Sequence, residues 1–141
     1  MQHTCFRQGT KKQLEAISKY NAGITEKDFQ DPKKQRDLTD ILLYHPDPIT
    51  RHEAAFIIGE HYQDLYPFLI TALKFDTSIV CKHEAAEALG KVKGPEARRV
   101  QRYLERMMRP GYDEAVYHSD VQATIQHAVS QLAAEIQKQS L

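Results

Sequence analysis

Two adjacent His-Glu pairs carry the donor chemistry in this chain: His52 with Glu53, and His83 with Glu84, the histidines being 31 positions apart. Two imidazoles and one carboxylate, leaving open coordination positions, form the ligand set that suits non-heme iron(II). The same donors suit zinc or manganese. Adjacent residues on a helix point about 100° apart, so one side chain of each pair can enter a site while its neighbour lines the edge. The glutamate left over is open to three roles: a further ligand, a hydrogen-bond partner that orients a ligating histidine, or a contact for a cationic substrate. A carboxylate at a helix start also favours the macrodipole, but that need explains at most one glutamate and neither histidine.

The pairs sit inside a duplication. RHEAAFIIG at 51–59 recurs as KHEAAEALG at 82–90, and Ile49, Thr50 and Arg51 lie opposite Val80, Cys81 and Lys82. Each copy follows a breaker-rich lead-in, HPDP at 45–48 and DTS at 76–78. A period of this order belongs to helical solenoids. Ala54, Ala55, Ile57 and Ile58 in one copy, and Ala85, Ala86, Ala88 and Leu89 in the other, suit a short helix whose small residues let a neighbour approach closely. Gly59 and Gly90 stand where a left-handed helix cap is expected, with the first helix running on to about Tyr62. A second helix is predicted in each copy, over 65–75 and over 95–108, the latter opened by Pro95 in its first turn. The repeat copies therefore cover about 46–75 and 77–108. Equivalent positions of stacked units lie side by side, which predicts His52, Glu53, His83 and Glu84 as one cluster near the starts of two parallel helices.

The flanks read as capping helices, 11–45 and 115–138. In the first, helices over 11–21 and 33–45 are separated by a stretch holding Gly23 and Pro32; in the second, Val121, Ile125, Ala128, Leu132 and Ile136 keep helical spacing. A third, eroded copy is expected there, with IQHAVSQLA laid on CKHEAAEAL, His127 over His83 and Ala128 in place of glutamate. The fold expected is one all-α domain over 1–141, an α-solenoid of stacked helical hairpins.

Composition narrows the partners. Lys plus Arg and Asp plus Glu number 19 each, so no global field draws nucleic acid or an anionic membrane. No long apolar run and no signal-like N-terminus is present, and the expectation is a cytoplasmic protein. Cys5 and Cys81 read as free thiols. His45 and His61 read as boundary residues near the first pair, and His3, His118 and His127 carry less weight. The stripe Arg98, Arg99, Arg102, Arg106 and Arg109, interspersed with Glu96 and Glu105, reads as a solvated helix face, and Tyr62, Tyr66, Tyr103, Tyr112 and Tyr117 as half-buried packing residues.

The phrases RHEAAFIIGE and KHEAAEALG resemble the HEAT-like repeats of deoxyhypusine hydroxylase and, more loosely, those of phycobilin lyases. The hydroxylase family has two facing halves of stacked helical hairpins, two His-Glu motifs in each, and a di-iron centre between them. The resemblance is specific over about 46–92 and covers one half's worth. It implies His52, His83 and Glu84 as iron ligands, with Glu53 as the catalytic glutamate that faces substrate or the second metal. It implies dioxygen and a small-molecule or protein substrate, and hydroxylase-like monooxygenase chemistry. The second half being absent from this chain, two copies pairing as a homodimer would recreate the four-motif site. A reading from a different class is a metal-free repeat adaptor presenting its concave face to a partner protein.

Overall fold

Capping chemistry starts both of the duplicated helices. Pro48–His61 forms one helix, and the Asp47 carboxylate before it accepts from the Ile49 N–H at 3.2 Å and the Thr50 hydroxyl at 2.8 Å. Ile79–Leu89 forms the other, with Ser78 Oγ accepting from the Cys81 N–H at 3.4 Å. The breakers at 45–48 and 76–78 thus act as helix starts. The computed structural model describes residues 32–112 and 119–140. Its elements in chain order are α1 (Pro32–Tyr44), α2 (Pro48–His61), a 3₁₀ turn (Gln63–Leu65), α3 (Tyr66–Phe75), α4 (Ile79–Leu89), α5 (Glu96–Met107) and α6 (Ser119–Gln139). The helix expected over 11–21, residues 115–118 of the second capping helix, and Cys5, His3, Tyr117 and His118 lie outside the described residues.

The helices stack in two layers. α4 packs between α2 and α6, while α1 lies on α2, α3 on α4 and α5 on α6. Three pairings fix the direction of α4 against α2: the Cys81 thiol donates to the Pro48 carbonyl at 3.0 Å, His52 meets Glu84 at 3.2 Å, and Gly59 abuts Ala88. First turn meets first turn and last meets last, so the two helices are parallel. This is an all-α solenoid of stacked hairpins, as the duplication implies. Between the layers, Leu38, Ile41, Leu42, Ile58, Leu69, Leu73, Leu89 and Leu104 are fully buried, each burial contributing about 1.5–3 kcal/mol. Among the described residues no helix is long and apolar enough to cross a membrane.

Three expectations are corrected. Gly59 lies within α2 and Gly90 caps α4 with φ −65°, so neither takes the left-handed conformation; among the described residues Gly94 and Gly111 do. What Gly59 and Gly90 both serve is close approach of the neighbouring helix. A Cβ on Gly59 would stand 2.6 Å from Ala88 Cβ, and one on Gly90 would stand 3.0 Å from Ala128 Cα. Those contacts also reset the third copy. Gly90 meets Ala128 as Gly59 meets Ala88. Since Ala88 precedes Gly90 by two positions, the position on α6 equivalent to Gly90 is Ser130, which sets α6 against α4 at an offset of 40 rather than 44. Burial agrees, since Val121, Thr124, Ile125 and Ala128 are buried as Cys81, Glu84, Ala85 and Ala88 are. Thr124, not Ala128, therefore stands in the place of Glu84, and His127 is exposed and does not overlie His83. Matching by the histidine letter alone put the helix one turn out of register. Pro95 likewise stands at the N-cap of α5, one position before its first turn.

Candidate metal centre

A buried ion pair sets the register of the two histidine-bearing turns. Arg51, next to His52, donates from Nε to Asp76 Oδ2 at 2.9 Å and from Nη2 to Oδ1 at 3.1 Å, and from Nη1 to the His45 carbonyl at 2.7 Å. Asp76 Oδ1 also accepts from the Ser78 N–H, the cap of α4, at 2.9 Å. One guanidinium thus ties the start of α2 to the start of α4 in the planar fork geometry that arginine alone provides. The side chains that follow on each helix are held opposite one another.

On that frame His52 Nε2 lies 3.2 Å from Glu84 Oε2. His83, Glu84 and Glu87 each offer one donor atom, all within 4.8 Å of one another, and His83 Nε2 lies 3.8 Å from Glu87 Oε1. Glu84 is the junction of these contacts and its side chain is only 8% exposed, whereas that of Glu53 is 56% exposed. Glu53 keeps only a loose approach to His52, 3.8 Å from Nδ1. His52 thus touches the Glu84 carboxylate from α2, His83 and Glu87 stand beside that carboxylate on α4, and Glu53 is left at the edge.

Burial holds the Glu84 carboxyl above the usual carboxylate range, and the neighbouring Glu87 pushes the same way, while His52 and Lys91 oppose the shift. Two carboxylates sharing a partly buried spot with two imidazoles form an electrostatic arrangement that a cation would relieve. Donors bound to one first-row ion at about 2.1 Å stand roughly 3–3.5 Å apart. The His52–Glu84 distance already falls there, while His83 and Glu87 stand 3.8 Å apart with more exposed side chains.

Glu87 is the residue that sequence reasoning missed. It stands one helical turn beyond His83 on α4, so its signal is the spacing His-Glu-x-x-Glu. Its counterpart in the first copy is Phe56. A search guided by what the copies share passes over a residue that only one of them has. The other histidines are placed elsewhere. His45 is buried in the α1–α2 turn, where its Nδ1 accepts from the Asp47 N–H at 2.9 Å, and His61 is exposed at the far end of α2. Cys81 is a buried thiol whose pKa is pushed up by burial.

Residues 36–123, more than half of the chain, match the sequence family described as HEAT repeats. The chain belongs to the HEAT repeat family. No curated protein and no solved structure matches it. Within this HEAT repeat protein α2 and α4 are the corresponding helices of successive units, which is why one motif, used twice, can converge on one place.

Proposed function

We propose that this HEAT repeat protein binds non-heme iron through His52, His83 and Glu84, with Glu87 as a further carboxylate, and that it is an oxygen-binding or hydroxylase-like protein. The observation that carries this reading is the convergence of His52 from α2 and His83 and Glu87 from α4 on the single buried carboxylate of Glu84. Hard oxygen and imidazole donors fit iron(II), and fewer than six of them leave positions open. Iron held there would supply dioxygen binding. The protein's own part is to fix the donors on a rigid helix pair and, through the exposed Glu53, to meet a cationic or polar group of a substrate.

The site opens on a face that supports pairing of two copies. Ile49 and Phe56 flank the first motif and Ile79 and Val80 adjoin the second, and all four are exposed apolar side chains. Covering them with the same face of a second chain would bury apolar surface and bring two donor clusters together, giving a di-iron centre in a homodimer.

Metal content and solution mass, measured together on protein purified without a metal-affinity tag, test this. About one iron per chain in a dimer is expected. A metal-free monomer that takes up no iron(II) on addition would sink the reading and leave the adaptor. His83→Ala should remove most bound iron with far-ultraviolet helicity intact, while Glu53→Ala should keep iron and alter reactivity with oxygen.

A further inference from the structure

The chain's basic residues are not spread evenly. Five of its eight arginines fall between 98 and 109, and no lysine lies between Lys93 and Lys138. On α5, Ala97, Val100, Leu104 and Met107 are buried, and the opposite side presents Arg98, Arg102 and Arg106 at successive turns. With Arg99, Pro95 and Tyr103 they frame a depression of about 360 Å³.

Two carboxylates share α5 with this stripe, and among the described residues they pair with little of it: Glu105 is exposed and forms no ion pair. Glu96 accepts from the Tyr66 hydroxyl at 2.8 Å and lies 3.6 Å from Arg99 Nη1, so it is engaged at one edge. Among the described residues Arg98, Arg102 and Arg106 form no ion pair; the Arg106 guanidinium lies over the Tyr103 ring at 5.9 Å. Like charges four apart on a helix repel, and five arginines against Glu96 and Glu105 leave this stretch net positive. Lysine would serve solubility equally well. Arginine differs in its planar fork, which binds carboxylates in pairs of hydrogen bonds.

We propose that the arginine face of α5 docks an extended acidic segment of a partner protein, with Asp or Glu at alternate positions. Side chains four apart on a helix advance about 6 Å per step. Alternate side chains of an extended segment repeat about every 6.6 Å. Three arginines thus stay in register with three alternate carboxylates. A nucleic-acid backbone is the poorer fit, because a chain with 19 basic and 19 acidic residues offers no wider field to hold a long polyanion. The site lies on the layer away from the metal centre and does not depend on it.

Fluorescence anisotropy of a labelled peptide of alternating Glu and Ser, titrated with the full chain at low salt, tests the proposal. Saturable binding that weakens as salt rises is expected. The double variant Arg98→Gln/Arg102→Gln should bind at least roughly tenfold more weakly, and Arg98→Lys/Arg102→Lys should fall between it and the native chain. Both arginines are exposed, and unchanged far-ultraviolet circular dichroism confirms that the variants fold. Lys93→Gln should bind as the native chain does. No saturable binding, unaltered binding by the glutamine variant, or a preference for single-stranded RNA of equal length over the peptide would each overturn it.

Discussion

The two copies of the duplicated helix share their wording and differ in what they bury. Glu84 leans back from α4 onto α2, where it meets His52. The equivalent side chain on α2, Glu53, leans away from α4, and among the described residues no helix of the same layer stands there. The next position along the stripe also differs, Phe56 in one copy and Glu87 in the other. On its far side α4 faces α6, where Thr124 occupies the place a third copy would give to glutamate. Glu87, on His83's own helix, stands beside it where Thr124 offers no carboxylate. A repeat places equivalent residues in a row, but neighbours decide which member of the row becomes a site.

The largest expected effect lies in the tie between the copies. Asp76→Ala would strand the buried Arg51 guanidinium and cost about 3–5 kcal/mol. Arg51→Lys, which gives the first copy a lysine where the second has Lys82, keeps the charge but loses the fork, and roughly 1–3 kcal/mol is expected from the bonds it cannot remake. Urea denaturation measures both. If the two substitutions cost the same, the fork is not what registers α2 against α4.

The contrast between Glu53 and Glu87 is sharpened by removing each charge in turn. On the proposed metal reading, Glu87→Gln should weaken iron binding about 10–100-fold, whereas Glu53→Gln should leave affinity within about threefold. Competition with a chelator of known affinity gives both values. Equal losses would return Glu53 to the ligand set, and no loss at Glu87 would confine the donors to His52, His83 and Glu84.

The paired glycines differ in what they press against. Gly59→Ala would drive a methyl into Ala88 of α4, and about 1–2 kcal/mol of destabilisation is expected after the gain in helix propensity. At Gly90 the nearest obstacle is the flexible end of Gln131, with Ala128 behind it at 3.0 Å. Gly90→Ala should therefore cost less, near or below about 1 kcal/mol. Thermal midpoints of the two variants rank them.

Much of this was legible from the residues. The duplication gives the fold, because a 31-residue repeat with apolar positions at helical spacing can bury its face only by stacking, and the side-by-side placement of His52 and Glu84 follows directly. The left-handed caps expected at Gly59 and Gly90 fail because φ cannot be read from a letter: near a helix end glycine serves a cap or a close approach equally well. The register of α6 escapes the letters because a shared histidine is a weaker marker than the burial pattern, in which Val121, Thr124 and Ile125 reproduce Cys81, Glu84 and Ala85. The exposure of Glu53 and the burial of Glu84 depend on which neighbours exist, which identical motifs cannot reveal.

The lead-ins to α2 and α4 differ in sensitivity to acid, and this gives the smallest expected effect. In the second, Asp76 and Ser78 hold the turn without an imidazole. In the first, the Nδ1 of buried His45 accepts the Asp47 N–H at 2.9 Å, a bond only the neutral ring can make. Burial lowers the His45 pKa, with nearby Arg51 acting the same way, against the opposing pull of Asp47. The folded chain thus takes up this proton less readily than the unfolded chain, for which a value near about 6.5 applies. The stability contributed by neutral His45 is full above that value and is lost as pH falls below it through the lowered folded value. Thermal midpoints should therefore drop as pH falls below about 6.5, and His45→Gln, which keeps an acceptor but does not titrate, should flatten that drop. An unchanged slope would place the acid sensitivity elsewhere and leave the two lead-ins equivalent.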